Sequence, residues 1–220
     1  MASMIEPPAQ VTLVHTEFLE DAHTVEALSE MGSISRLSKG AEGLAGSGIE
    51  SVVWTSTSAS FVLGLDGIRQ QIEALEKLLG VPASTTAMAF ARAVKAIGAK
   101  RVAIAATYPE DVAQRFRAFL NHFDIEVVHL ASRGILTAAE VGTLGKDDVI
   151  AFAQANTRKH ADALLIPDTA LHSAAWLTDL EEATKAPVLT ANQVSFWEAL
   201  RLCGKLATQT GLGRLFESVP

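Results

Sequence analysis

Short apolar runs rich in β-branched residues punctuate the chain at 11–16 (VTLVHT), 51–56 (SVVWTS), 101–107 (RVAIAAT), 125–131 (IEVVHLA), 163–167 (ALLIP) and 187–190 (PVLT). Most are continuous rather than alternating, as expected of strands covered on both faces. Between them, apolar residues return at helical spacing over 34–47, 67–79, 84–98, 109–122, 145–160, 172–184 and 193–207. Ser84 and Asn192 stand where N-caps belong, and Gly80, Gly98 and Gly204 stand near helix ends. Strands spaced by helices predict an α/β protein with parallel sheet.

Two of these runs share a plan. ESVVWTSTSASF and DALLIPDTALHS each carry a buried strand that turns at a polar residue followed by Thr: Ser56–Thr57 in one, Asp168–Thr169 in the other. Two such βαβ halves would bring two strand carboxyl ends face to face, the place where open α/β sheets bind ligands. The backbone N–H groups of the first turn, with the Thr57 and Ser58 hydroxyls, could cradle an anion; read locally, the same residues are ordinary turn formers. Asp168 divides in the same way. Pro-Asp ahead of a helical stretch is an N-cap pattern, whereas a partly desolvated carboxyl beside a bound carboxylate would titrate high and could carry a proton.

Composition narrows the classes. Hydrophobic residues make up 49% of the 220 and charged residues 20%, a globular profile with room for a substantial core. The net charge of −7 argues against a nucleic-acid partner. No apolar segment approaches bilayer length and no basic n-region precedes an apolar run, so a cytoplasmic address is expected. The lone Cys203 excludes an intrachain disulfide and reads as a small core residue of a helix. His15, His23, His122, His129 and His160 show no ligand spacing, and no glycine-rich phosphate loop follows a strand, so neither metal nor cofactor is expected. His172, four residues past Asp168, is the histidine placed to tune it; helix surface or packing is its blander role.

The order of four segments resembles the aspartate/glutamate racemase superfamily, in its maleate isomerase and arylmalonate decarboxylase branch. They are Ser56-Thr57-Ser58-Ala59-Ser60-Phe61 at a strand end; GVPASTTAMAFARAVKAIGAKRVAIAATYPEDV at 80–112, with Thr107-Tyr108-Pro109; ADALLIPDTALHS; and APVLTANQVSFWEALRLCG at 186–204. The resemblance runs from about residue 10 to about residue 205. It implies two pseudo-symmetric lobes, each a short, mostly parallel sheet flanked by helices, with the active site in the cleft between them. The first lobe would be 1–82 plus 190–220 and the second 83–189.

It also implies chemistry at a carbon next to a carboxylate, without a cofactor: a lyase or isomerase working through an enediolate. Ser56 and Asp168 occupy the two positions where the family carries catalytic cysteines. A serine hydroxyl is a poor acid or base beside a thiol of pKa ~8.5, so Ser56 reads as a binding residue or a remnant and Asp168 as the proton carrier. Thr57, Ser58 and Tyr108 would hold the oxyanion, and Thr169 would lend its N–H. Asn192 and Gln193 would cap the last long helix. The family's opening strand and polar loop, roughly 20 to 25 residues, have no counterpart in the first residues here. The expected partner is a small carboxylate substrate, with assembly as a homodimer or homotetramer to which the amphipathic run 61–80 could contribute. The alternative is a carboxylate-binding paralogue without turnover, or an accessory protein of a catabolic pathway such as ectoine utilisation.

Overall fold

The computed structural model describes residues 1–217. Six strands form two parallel sheets: β1 (Val52–Trp54) pairs with β2 (Ala83–Thr85), while β3 (Arg101–Ala106), β4 (Glu126–Ser132), β5 (Ala163–Ile166) and β6 (Val188–Thr190) lie in the order β4-β3-β5-β6. Ala83–Thr85, the opening residues of the expected second lobe, thus pair with the first sheet. Eleven α-helices among the described residues connect and cover the strands: α1 (Val25–Met31), α2 (Ile34–Ala41), α3 (Ser58–Phe61), α4 (Gly64–Leu79), α5 (Thr86–Ala96), α6 (Glu110–Asn121), α7 (Ala138–Val141), α8 (Lys146–Asn156), α9 (Leu177–Thr184), α10 (Ala191–Leu202) and α11 (Arg214–Glu217). None is long and apolar enough to cross a membrane. The chain is an α/β protein of short parallel sheets flanked by helices.

Burial explains the unalternating strands. On β3, Val102, Ile104 and Ala106 enter one core while Ala103 and Ala105 enter the other; on β5, Ala163 and Leu165 part from Leu164 and Ile166 in the same way. Both faces of the four-stranded sheet are therefore covered, and every residue of β5 is buried. Burial of apolar area contributes about 25 cal/mol per Å² removed from water, so these strands are held by both cores they separate.

The repeat read from the sequence has a structural counterpart in register. Trp54 of β1 lies opposite Thr85 of β2, and Ile166 of β5 lies opposite Thr190 of β6. Ser56 and Asp168 each follow two residues after the last paired residue of β1 and β5. Thr85 then starts α5, its hydroxyl accepting from Met88 N at 3.3 Å, and Thr190 starts α10, its N–H donating to Gln193 Oε1 at 3.1 Å. The two matched helices pack on each other, with Thr86 Oγ1 and Ser195 Oγ 2.6 Å apart across the contact. Beside it Glu198, with no exposed surface, accepts from Arg92 and from Arg201 at 2.7 Å.

One expected strand is absent. Residues 11–16 have strand composition but no strand pairs with them, and Leu13 is 76% exposed; apolar alternation yields a strand only where a ladder partner exists. Conversely, β2 is built from Ala83, Ser84 and Thr85, a weak β sequence that pairing with β1 imposes.

Candidate active site

The turn after β1 runs straight into the single-turn helix α3. Thr57 and Ser58 are buried there, and Ser56 is half-buried at the turn. The Ser60 hydroxyl donates to the Ser56 carbonyl at 2.9 Å, which tightens the turn. Behind it Gln71, wholly buried on α4, donates to the carbonyls of Gly32 at 2.9 Å and Ala59 at 3.2 Å. Gly32 has no substitute, since a Cβ would stand 2.2 Å from the Ala59 carbonyl oxygen. These contacts fix α3, and the first-turn amides of Ser58 and Ala59 pair with no carbonyl among the described residues. The Thr57 hydroxyl is buried and also has no hydrogen-bond partner. Buried donors left open in this way are costly unless something else comes to meet them.

The second half supplies the opposing groups. Asp168 follows Pro167 at the end of β5 and is only 4% exposed. Its Oδ1 accepts from Ala170 N at 2.9 Å, and its Oδ2 accepts from the Thr107 hydroxyl at the end of β3. Ala170 lies in a turn, and α9 begins only at Leu177, so Asp168 closes a local turn instead of capping a helix. Burial raises its carboxyl above the ordinary aspartate range; the Thr107 bond, a charge on His23 and the Ala170 amide oppose the rise, and the charge of Asp21 adds to it.

Tyr108 is 1% exposed and its phenol donates to the Pro167 carbonyl. Burial pushes that phenol well above its usual range, with the Asp168 charge adding to the rise and the Thr57 hydroxyl opposing it. Thr57, Tyr108 and Asp168, from three different strand ends, are therefore electrostatic neighbours. Phe61 of α3 packs edge-on against Tyr108 at 6.0 Å between ring centroids and tilts against Phe116 of α6 at 5.2 Å, joining the two halves under the site. Thr169 is half-buried, and its carbonyl accepts from Asn192 Nδ2 at 3.1 Å. Asn192 also holds the Leu171 carbonyl at 3.1 Å, so it ties the Asp168 turn to α10, while Gln193 makes the capping contact.

The histidine packed into this region is His23, against Tyr108. His172 sits exposed in the loop that precedes α9, whereas His23 is 6% exposed and packs edge-on against Tyr108 at 5.2 Å. No local spacing could have revealed this, because His23 and Tyr108 meet only through the fold. Thr107 belongs to the Thr107-Tyr108-Pro109 segment, and its bond to Asp168 is made only by the fold. Cys203, the sole thiol, lies half-buried just after α10, with its sulfur 3.3 Å from the Ala199 carbonyl oxygen.

Known proteins place this arrangement. Residues 7–216 match the family model described as arylmalonate decarboxylase. Arylmalonate decarboxylase of Bordetella bronchiseptica is 30% identical over 167 residues, covering 73% of this chain and 68% of that protein. A crystal structure of arylmalonate decarboxylase superposes with a TM-score of 0.77 at 26% identity, over 84% of this chain and 83% of that one. Maleate cis-trans isomerase of Nocardia farcinica, in a form with a covalently bound succinylcysteine intermediate, shares the fold at a TM-score of 0.89 and 20% identity, over 100% of this chain and 92% of that one. With its matched β1–β2 and β5–β6 units and its two polar strand ends, the chain belongs to the arylmalonate decarboxylase family.

Proposed function

We propose that the protein is a cofactor-independent lyase that removes CO2 from a small malonate-type dicarboxylic acid, with Asp168 delivering the proton. The observation that carries this reading is a buried carboxyl, held above its ordinary pKa, at the strand end that answers Ser56 in the other half. A buried carboxyl whose pKa is raised above the ordinary aspartate range is suited to act as a general acid.

In the proposed cycle the C–C bond to the leaving carboxylate breaks and its electron pair becomes an enediolate. The Thr57 and Ser58 hydroxyls, with the first amides of α3, meet the developing negative charge. Asp168 then protonates the α-carbon. Ser56 lines the opposite side as a polar wall, and the Thr169 turn positions Asp168. The succinylcysteine named for the Nocardia isomerase needs a thiol, and the only one here is turned into its own helix end; proton transfer therefore fits this chain better than covalent isomerisation.

Binding of a carboxylate without turnover is the second reading. It is favoured by Tyr108, whose phenol proton goes to the Pro167 carbonyl and not towards a ligand. Proton NMR in D2O with 2-aryl- and 2-alkylmalonates, maleate and 2-aryl acids separates the two. CO2 loss with deuterium at the α-carbon, present in wild type and absent in Asp168→Asn, is expected. Ligand-induced shifts with no turnover would replace the lyase reading with the binding one.

A further inference from the structure

We propose that Thr107 is the positioning residue of the reaction: its hydroxyl fixes the Asp168 carboxyl in place and keeps it acidic enough to give up its proton. This rests on the lyase reading above. Neighbouring strands bring the pair together. β3 and β5 run in parallel with Val102 opposite Ala163, Ala103 opposite Leu164 and Ile104 opposite Leu165, a constant offset of 61 residues. Thr107 and Asp168 stand at the same offset, so the register that builds the sheet also sets the hydroxyl beside the carboxyl just past its end.

Thr107 is itself firmly held. It is buried, its carbonyl accepts from Ile135 N at 2.9 Å, and the next carbonyl, of Tyr108, accepts from Gly134 N at 3.3 Å and from the Ser132 hydroxyl at 2.5 Å. Among the described residues Thr107 is the one side chain bonded to the Asp168 carboxyl, on Oδ2, while the Ala170 N–H donates to Oδ1 at 2.9 Å. One lone pair on each oxygen is thereby taken, and the acid proton is confined to the others. The titratable groups facing Asp168 are Asp21 and His23, from the segment laid over this end of the sheet, and Tyr108. All three are committed to backbone: Asp21 to the amides of Ala138 and Ala139, His23 Nδ1 to the Ile135 carbonyl, and the phenol to the Pro167 carbonyl. Burial weakens Asp168 as an acid, and the Thr107 bond is the foremost influence against that weakening.

The step balances. The O–H bond of Asp168 breaks as a C–H bond forms at the α-carbon of the enediolate, and the electron pair stays on the carboxylate. That anion is already met by the Thr107 O–H and the Ala170 N–H, so no group has to move to receive the charge. The carboxylate then regains a proton from water, one for each CO2 released.

The test compares wild type, Thr107→Val and Thr107→Ser. Valine keeps the branched shape without the hydroxyl, and serine keeps the hydroxyl without the methyl. Two quantities are read: the pH profile of kcat for CO2 release from phenylmalonate, and the 13C titration of the Asp168 carboxyl, assigned by its loss in Asp168→Asn. Removing a donor to the charged form makes the acid weaker. In Thr107→Val the alkaline limb of the profile and the carboxyl titration are therefore expected to move up together by about one pH unit or more. On the acidic plateau kcat should fall about 10-fold with KM unchanged. Thr107→Ser is expected to return both to their wild-type positions. A limb and titration that stay in place in Thr107→Val would overturn the proposal and leave the lyase reading standing. So would a kcat that falls in both variants with the limb unmoved, the mark of a merely structural role. A wild type that releases no CO2 would overturn the lyase reading and this role with it.

Discussion

Thr57 allows stability and function to be set against each other at one atom. Its hydroxyl is buried and satisfies no hydrogen-bond geometry among the described residues; it lies close enough to the Tyr108 phenol to influence it, while the phenol's own proton goes to the Pro167 carbonyl. Thr57→Val removes the orphan oxygen and keeps the side-chain shape. An unmet buried hydroxyl costs about 1–3 kcal/mol, so the variant should be more stable by that order. For a chain of this size 1 kcal/mol moves Tm by roughly 2–4 °C, which puts the expected rise at roughly 2–12 °C. If the hydroxyl is reserved for the enediolate, the same change should lower kcat by about 10²- to 10³-fold. Scanning calorimetry with and without a malonate ligand, beside steady-state kinetics, measures both quantities. A variant that melts below wild type, or one that melts above it and keeps full kcat, would refute the assignment of this oxygen to the oxyanion.

Two further outcomes follow from the buried charges. Because burial raises the folded-state pKa of Asp168 above its unfolded value, its contribution to stability is fully present below the ordinary aspartate pKa and is lost as pH rises through the raised one. Chemical denaturation from pH 4 to pH 8 should show a decline of up to about 1.4 kcal/mol per pH unit across that window, and Asp168→Asn should flatten it; an unchanged slope would mean that this carboxyl is not the group responsible. Glu198→Ala strands Arg92 and Arg201 against the α5–α10 contact. It should cost about 3–5 kcal/mol by urea unfolding, and a loss below about 1 kcal/mol would show that solvent around the half-exposed arginines already screens the cluster.

The seven helices of eight residues or more and five of the six observed strands were legible because their apolar spacing is the pattern that burial selects. β2 was not, since Ala83-Ser84-Thr85 becomes a strand only by lying beside β1. Residues 11–16 misled for the converse reason: a strand-like composition carries no information about whether a neighbour exists. Short helices such as α3 and α7 are set by turn geometry and tertiary contact, and four-residue segments show no period. At the site, Ser56, Thr57, Ser58, Asp168 and Thr169 could be picked out because strand ends are local features, and so could the Thr107-Tyr108 pair. Their partners were invisible. His23 packs on Tyr108 from a distant part of the sequence, Asn192 holds the Asp168 turn from another helix, and the phenol of Tyr108 turns to a backbone carbonyl that no side-chain motif encodes.

The oxygen chemistry of the two strand ends has a consequence for where such a protein can work. Thiolates are the side chains that peroxide, heavy metals and alkylating agents strike first, and their oxidation beyond the sulfenic stage is largely irreversible. A hydroxyl at position 56 and a carboxyl at position 168 have no such ladder to climb, and the one sulfur of a cysteine is folded back onto its own helix end. Oxidative stress that would silence a thiol-dependent enzyme finds no sulfur at positions 56 and 168.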